Sequence, residues 1–142
     1  MIALKDVFIK LTSSIESNGD VETFELTTDG RLSVRGGKTM LMYEESDTIG
    51  ASGVKSIISA DDDHVVIQRS GGMTGRLTIM KNKRQSCIYD TAEGAVSLGI
   101  FGEELVNSLS DEGGQLEMAY TLDVNNEFLS HNRIKITVDP RS

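Results

Sequence analysis

Apolar and polar residues alternate along most of this chain, and this alternation restricts the possible folds more than any other feature. It is clearest in residues 7–11, 116–124 and 134–138. A period of two places every second side chain on the same face of a pleated strand. A chain composed of such strands, with turn signals about every eight to twelve residues, must close its sheet or protect its edges. The sequence therefore predicts an all-β barrel.

Turn-forming residues divide the chain into about eight to ten consecutive strands within a single domain, residues 1–142. Asn18-Gly19 and Asn125-Asn126 are typical of tight hairpin turns. Asp29-Gly30 has two interpretations, a hairpin or one long strand that bends where Gly30 faces inward, and the bend is slightly favoured. Residues 102–110 fit either a helical turn or a strand, and the surrounding strands favour the latter. An up-and-down antiparallel barrel without a long helix is expected.

The charge of the chain disfavours two classes of partner. It has 14 basic and 22 acidic residues, which gives a net charge of −8. Proteins that bind nucleic acids or anionic membranes gain affinity from positive charge, so neither partner is expected. The sequence shows no signal peptide and no apolar span of about 20 residues. Cys87 is the single cysteine, which excludes an internal disulfide and makes the cytoplasm the expected location.

Four segments carry a resemblance to a known family. They are MYEESDTIG at 42–50, VVIQRSG at 65–71, YDTAEG at 89–94 and GGQLEMAYTLDVNN at 113–126. In this order and spacing the chain resembles the YwiB-like family of small uncharacterised bacterial proteins. The resemblance implies a calycin-like barrel, similar to the lipocalins, and implies no chemistry. The Gly-x-Trp motif of true lipocalins is absent because the chain has no Trp, which argues against a classical lipocalin role.

Five residues are the candidates for a ligand site: Tyr43, Glu45, Arg69, Tyr89 and Tyr120. Tyr43 and Glu45 lie an even number of residues from the predicted core residues of their strand, so they share this parity and are predicted to face inward. Arg69 has the same relationship to the predicted core residues of its own strand. An inward charge is costly unless it is paired or bound to a ligand. Arg69 therefore either binds a carboxylate or phosphate group or forms an ion pair with Glu45 at the rim. The tyrosines either present hydroxyl groups to a cavity or belong to the core.

The sequence contains no recognisable catalytic or metal-binding motif. Cys87 has no nearby base in the sequence, and His64 and His131 lack a second ligand at metal spacing. Neither an enzyme nor a bound metal or cofactor is expected.

Two functions remain as hypotheses. The first is a non-enzymatic binding barrel for a small, anionic ligand or a short peptide, because a barrel of about eight strands has room for one small ligand. The alternative is a protein-interaction or structural module with a filled interior, including a homodimer. Met40 and Met42, predicted on the outer face of their strand, favour this alternative.

Overall fold

The described part of the chain folds entirely into antiparallel strands. The computed structural model describes residues 4–44, 55–70, 75–91 and 93–141, with the backbone alone at 70, 75, 87 and 89–91. The described part contains no helix that is long and apolar enough to cross a membrane. It contains ten strands, which confirms the all-β prediction: β1 (Lys5–Ser17), β2 (Asp20–Arg35), β3 (Lys38–Glu44), β4 (Lys55–Ala60), β5 (His64–Ser70), β6 (Gly75–Met80), β7 (Arg84–Thr91), β8 (Gly94–Asn107), β9 (Gly114–Val124) and β10 (Glu127–Pro140).

The strands form a nearly closed up-and-down barrel. Each strand pairs with the next in the chain, except that β6 and β7 are the two ends of the sheet, and β1 pairs with β10. The corner between β6 and β7 is attached to β8, because Asn82 N donates to Gly102 O at 2.8 Å and Gly102 N donates to Lys83 O at 3.3 Å. Beyond this corner, no strand ladder of the described residues joins β6 to β7.

The two ends of the barrel differ in how completely they are packed. We call the end that carries the turns at 36–37, 61–63 and 81–83 the closed end, and the opposite end, where β1 turns into β2 and β9 turns into β10, the open end. Apolar side chains that are at most 2% exposed lie mainly in the half toward the closed end: Val7, Ile9, Leu32, Leu41, Ile58, Val65, Ile79, Ile100, Leu116, Met118, Ile136 and Val138. Apolar residues of the other half pack against this core and are only partly buried: Leu11, Leu26, Ile67, Leu77, Leu98, Leu122 and Ile134.

Strand β2 passes through Asp29-Gly30 without a turn, which confirms the interpretation as one long strand. Gly30 pairs with Val7 on one side and with Tyr43 on the other. A Cβ atom at Gly30 would overlap the side chain of Ile9 and the carbonyl oxygen of Met42. The missing side chain therefore lets three strands pack closely at this point.

Strand β8 accounts for most of the ambiguous residues 102–110, and the strand interpretation is confirmed as far as Asn107. The register between β8 and β9 shifts between Gly102 and Glu104, which marks a bulge. A bulge changes which residues of a strand face inward. Ile100 and Leu105 are therefore both buried although they lie an odd number of residues apart.

Candidate functional site

A row of polar residues crosses three neighbouring strands near the open end. Tyr43 on β3 pairs with Ser56 on β4, and Ser56 pairs with Arg69 on β5. Neighbouring strands lie about 4.8 Å apart, so these residues stand side by side. Tyr43 and Ser56 are 7% and 0% exposed, whereas Arg69 is exposed. The row therefore extends from the buried interior to a solvent-accessible guanidinium.

This row borders a small cavity inside the open half of the barrel. The cavity has a volume of about 100 Å³. The described part of its lining consists of six aliphatic residues, one phenylalanine and three polar residues: Leu11, Leu26, Ile58, Ile67, Ile134, Ile136, Phe24, Ser13, Tyr43 and Arg69. Among these described residues Arg69 carries the one formal charge, and none of them is a carboxylate. The site is therefore apolar with a cationic group at one side.

Tyr120 reaches the same region from β9, which is not a neighbour of β5. Burial raises the pKa of the Tyr120 phenol, and the positive charge of Arg69 lowers it. None of the described residues hydrogen-bonds the Tyr120 hydroxyl, and no fully buried side-chain oxygen or nitrogen in the described part lacks a partner. Tyr120 is 7% exposed and belongs to the buried interior.

The sequence analysis missed several polar residues of the interior, of which Asn132, Ser130 and Ser56 lie nearest the open end. Asn132 on β10 pairs with Tyr120 in the ladder and is buried, and its Nδ2 donates to Ser130 Oγ at 3.0 Å. Ser56 is the third, next to Arg69. Each shares the parity of the apolar residues on its strand, so a search for polar residues at inward positions would have found all three.

The structure brings three of the five predicted site residues together and does not describe the side chains of the other two. Tyr43, Arg69 and Tyr120 lie around one region of the interior. Glu45 lies outside the described residues, so its predicted pairing with Arg69 stays a prediction. Tyr89 lies on β7, and the structure describes only the backbone of this residue.

The two histidines pair with carboxylates in separate places. His64 Nδ1 lies 2.9 Å from Asp61 Oδ2 at the turn between β4 and β5. His131 Nδ1 lies 3.3 Å from Glu103 Oε1 on the outer face. Within the described residues, no group of three His, Cys, Asp or Glu residues is arranged to hold a metal ion.

Apolar side chains are also exposed outside the cavity. Met40 lies on the outer face of β3 and is 37% exposed. Val21 on β2 and Phe128 and Leu129 on β10 are about half exposed or more. Ser17 Oγ donates to Leu129 O at 3.0 Å, which joins the β1–β2 hairpin to the start of β10. Val21, Phe128 and Leu129 form an apolar rim at the open end.

Comparisons with known proteins agree with the barrel architecture. The family model described as a domain of unknown function, DUF1934, matches residues 9–136. The uncharacterised β-barrel protein YwiB of Bacillus subtilis is 27% identical over 140 residues, which cover 94% of this chain and 92% of that protein. The crystal structure of the YwiB protein from Bacillus subtilis superposes with a TM-score of 0.78 at 19% identity, over 99% of this chain and 96% of that one. The chain therefore belongs to the DUF1934 family of β-barrel proteins.

Proposed function

We propose that this protein is a binding barrel that holds a small anionic ligand in the cavity at its open end. One observation carries the proposal: the accessible guanidinium of Arg69 borders an interior cavity that is otherwise almost entirely apolar.

The charge at the cavity favours an anion. The chain as a whole carries a net charge of −8, yet the cavity-lining residues that the structure describes include one arginine and no acidic residue. An arginine forms two parallel hydrogen bonds with a carboxylate or phosphate group. Attraction between opposite charges is also stronger beside apolar walls than in bulk water.

The phenols of Tyr43 and Tyr120 supply the orientation. Tyr43 lines the cavity, and Tyr120 lies close enough to Arg69 for its pKa to respond to that charge. Polar groups at a few fixed points of an apolar pocket determine how a ligand is held. Glu45 and Tyr89 remain candidates for the same site from the sequence alone.

Binding rather than catalysis is supported by the chemistry of the lining. The cavity has no His, Cys, Asp or Glu among its described lining residues. Acid–base or nucleophilic catalysis relies mainly on these side chains.

We further propose a calycin-like classification, because the strands follow an up-and-down topology. We also propose a cytoplasmic location, because the chain has a single cysteine.

Native mass spectrometry of the protein purified from its own organism tests the proposal. We expect a co-purified molecule of constant mass that leaves on denaturation. The variant Arg69→Met retains an unbranched side chain but lacks the positive charge. We expect this variant to lose the co-purified molecule. Lys10→Met is the matched control, because Lys10 is an exposed cation that does not line the cavity. Protein without any bound molecule, or equal retention by Arg69→Met, contradicts the proposal.

An interaction module is the second candidate, including a homodimer. The exposed apolar rim of Val21, Phe128 and Leu129 and the exposed Met40 favour it, because exposed apolar groups often belong to interfaces. Light scattering over a range of protein concentrations tests self-association. A mass that rises with concentration in the wild type and stays monomeric in Phe128→Ser supports the homodimer, whereas a constant monomer mass excludes it.

A further inference from the structure

The edge of β6 that faces β7 offers backbone hydrogen-bonding groups beyond the corner at 81–83. Lys81 N donates to Asp63 O at 2.9 Å, so these two residues form a hydrogen-bonded pair that continues the β5–β6 ladder. Hydrogen-bonded and non-hydrogen-bonded pairs alternate along an antiparallel ladder, which makes Thr78, opposite Val66, a non-hydrogen-bonded position. The N–H and C=O groups of Thr78 therefore point away from β5, and none of the described residues hydrogen-bonds them on that side.

The edge of β7 has the same property. Ser97 on β8 bonds toward β9, because its carbonyl oxygen accepts from Asn125 N at 2.8 Å and its N–H donates to Asn125 Oδ1 at 3.1 Å. Ile88 lies opposite Ser97 in the β7–β8 ladder and Ser86 lies two residues away, so both occupy non-hydrogen-bonded positions of that ladder. Their peptide groups point into the gap between β7 and β6. Within the described part of the chain, the two edges together form a template for an extended segment.

The charge beside this gap is opposite to that of the chain as a whole. Residues 64–89, which include β5, β6, the corner and most of β7, contain five of the 14 basic residues and none of the 22 acidic ones. Arg84 pairs with Asp123. Lys81 and Lys83 are exposed at the corner, and none of the described residues forms an ion pair with them. The gap therefore attracts an acidic partner.

The side chains at the two edges define the pattern that a bound strand would continue. Leu77 and the fully buried Ile79 face the interior, whereas Thr78 and Met80 alternate with them on the outer face. A strand added beside β6 would place apolar side chains inward and acidic ones outward. Ile88, beside the opposite edge, is 74% exposed, and a bound segment would cover part of it.

We propose that the gap between β6 and β7 binds an extended acidic segment of a partner protein as an added strand. The segment is about six residues long, the length of β6, and its acidic side chains pair with Lys81 and Lys83. A second copy of this chain fits less well, because pairing two β6 edges brings the same lysines of both copies together. This inference goes beyond the small-ligand site and does not depend on it.

Fluorescence anisotropy of a labelled peptide, titrated with the whole protein, tests the inference. The probe has seven residues in which glutamate alternates with valine, and the charge control has lysine in place of each glutamate. We expect saturable binding of the glutamate probe that weakens as salt is added, and no binding of the lysine control. The probe should also change the amide chemical shifts of Thr78, Ser86 and Ile88.

N-methylated probes test whether the peptide binds as a strand. One carries a methyl group on the backbone nitrogen of every valine and the other on that of every glutamate, because alternate residues of a strand point their N–H groups to opposite sides. We expect binding to weaken by at least about tenfold for one or both of them, since the hydrogen bonds to the strand edges are lost.

Variants of the protein locate the binding site. Lys81→Gln combined with Lys83→Gln should weaken binding of the glutamate probe by roughly threefold to tenfold, the range expected for two exposed ion pairs. Lys10→Gln combined with Lys38→Gln is the matched control, because these exposed lysines lie on β1 and β3. Thr78→Pro removes one N–H that faces the gap, which an edge strand tolerates, and should also weaken binding, whereas Thr78→Val keeps this N–H and the binding.

Three results would overturn the proposal. The first is failure of the glutamate probe to bind. The second is equal binding of the probe and both N-methylated forms, which would indicate attraction by charge without an added strand. The third is a dimer, seen by light scattering, that forms in the wild type and in Thr78→Val but not in Thr78→Pro, because it would assign the gap to a second copy.

Discussion

Arg69 on β5 acts electrostatically on Tyr120 on β9, across the interior of the barrel. Burial raises the pKa of the Tyr120 phenol above its ordinary value of 10.0, and the positive charge of Arg69 lowers it. The two residues come from distant segments and share no strand ladder. The interaction therefore links two walls of the barrel that the strand ladders do not join.

The first prediction is that Arg69→Met raises the pKa of Tyr120. The substitution removes the charge that stabilises the phenolate and leaves the burial that opposes it. Phenolate absorbance against pH measures the change, and Tyr120→Phe identifies which of the three tyrosine transitions belongs to Tyr120. Lys10→Met is expected to leave that transition in place. An unchanged Tyr120 transition in Arg69→Met would show that the two groups are not coupled.

The second prediction is that Arg69→Ala lowers the free energy of unfolding by about 1 kcal/mol or less. The side chain is exposed, and ion pairs of exposed residues contribute in this range. A buried ion pair with Glu45 would instead cost about 3–5 kcal/mol when one partner is removed. Urea denaturation distinguishes the two values. Ile58→Ala, a fully buried position bordering the same cavity, provides a scale, with an expected loss of about 2–5 kcal/mol.

The sequence predicted the architecture well because one property, the period-two alternation, decides it. Turn positions at Asn18-Gly19 and Asn125-Asn126 were also predictable, since Asn and Gly tolerate the positive φ that is found there. The bulge in β8 was not predictable, because no local signal marks the single extra residue near Glu103. The gap between β6 and β7 was not predictable either, since it depends on how ten strands fit around one core.

The candidate site was predicted in part for the same reason. Parity assigned Tyr43, Arg69 and Tyr120 to the interior, and it could equally have assigned Ser56 and Asn132. The parity of a residue predicts which face of the sheet its side chain lies on. It does not predict whether that part of the strand is tightly packed or accessible to solvent. Only the folded barrel distinguishes buried Ile9 from partly exposed Leu11, two residues further along the same face of β1.

The third prediction concerns acid stability and Asp61, at the turn between β4 and β5. Burial alone would raise the pKa of Asp61, but hydrogen bonds from the backbone N–H groups of Asp63 and His64, each 2.9 Å long, and the nearby His64 ring lower it below the ordinary 3.8. A depressed pKa in the folded state stabilises the fold above pH 3.8. This contribution is lost as the pH falls through the lower value of the folded protein.

The variant Asp61→Asn measures that contribution. We expect it to be less stable than the wild type by about 1 kcal/mol near neutral pH, since one charged acceptor is replaced by a neutral one. The difference should disappear below the folded-state pKa of Asp61, because the wild-type carboxyl is then neutral as well. Asp62→Asn is the matched control, an exposed carboxylate in the same turn. Equal losses in both variants at every pH would reject a specific role for Asp61.

The fourth prediction concerns Gly99, over which an ion pair joins β7 to β9. Arg84 donates to Asp123 through Nε at 3.1 Å and through Nη2 at 2.7 Å, and this pairing lowers the pKa of Asp123. Gly99 lies on β8 between them, in register with Asp123. A Cβ atom at Gly99 would overlap both Arg84 Nη2 and Asp123 Oδ2, so Gly99→Ala should separate the pair.

Two measurements test whether Gly99→Ala separates the ion pair between Arg84 and Asp123. The midpoint of thermal unfolding should fall in Gly99→Ala, and the pKa of Asp123, followed by NMR, should rise toward 3.8 because the arginine no longer donates to the carboxylate. In the Arg84→Ala background the same substitution should lower the midpoint less, since one of the two overlapping side chains is already absent. Equal effects in the two backgrounds, with an unchanged pKa of Asp123 in Gly99→Ala, would show that Gly99 is required for a reason other than room for this ion pair.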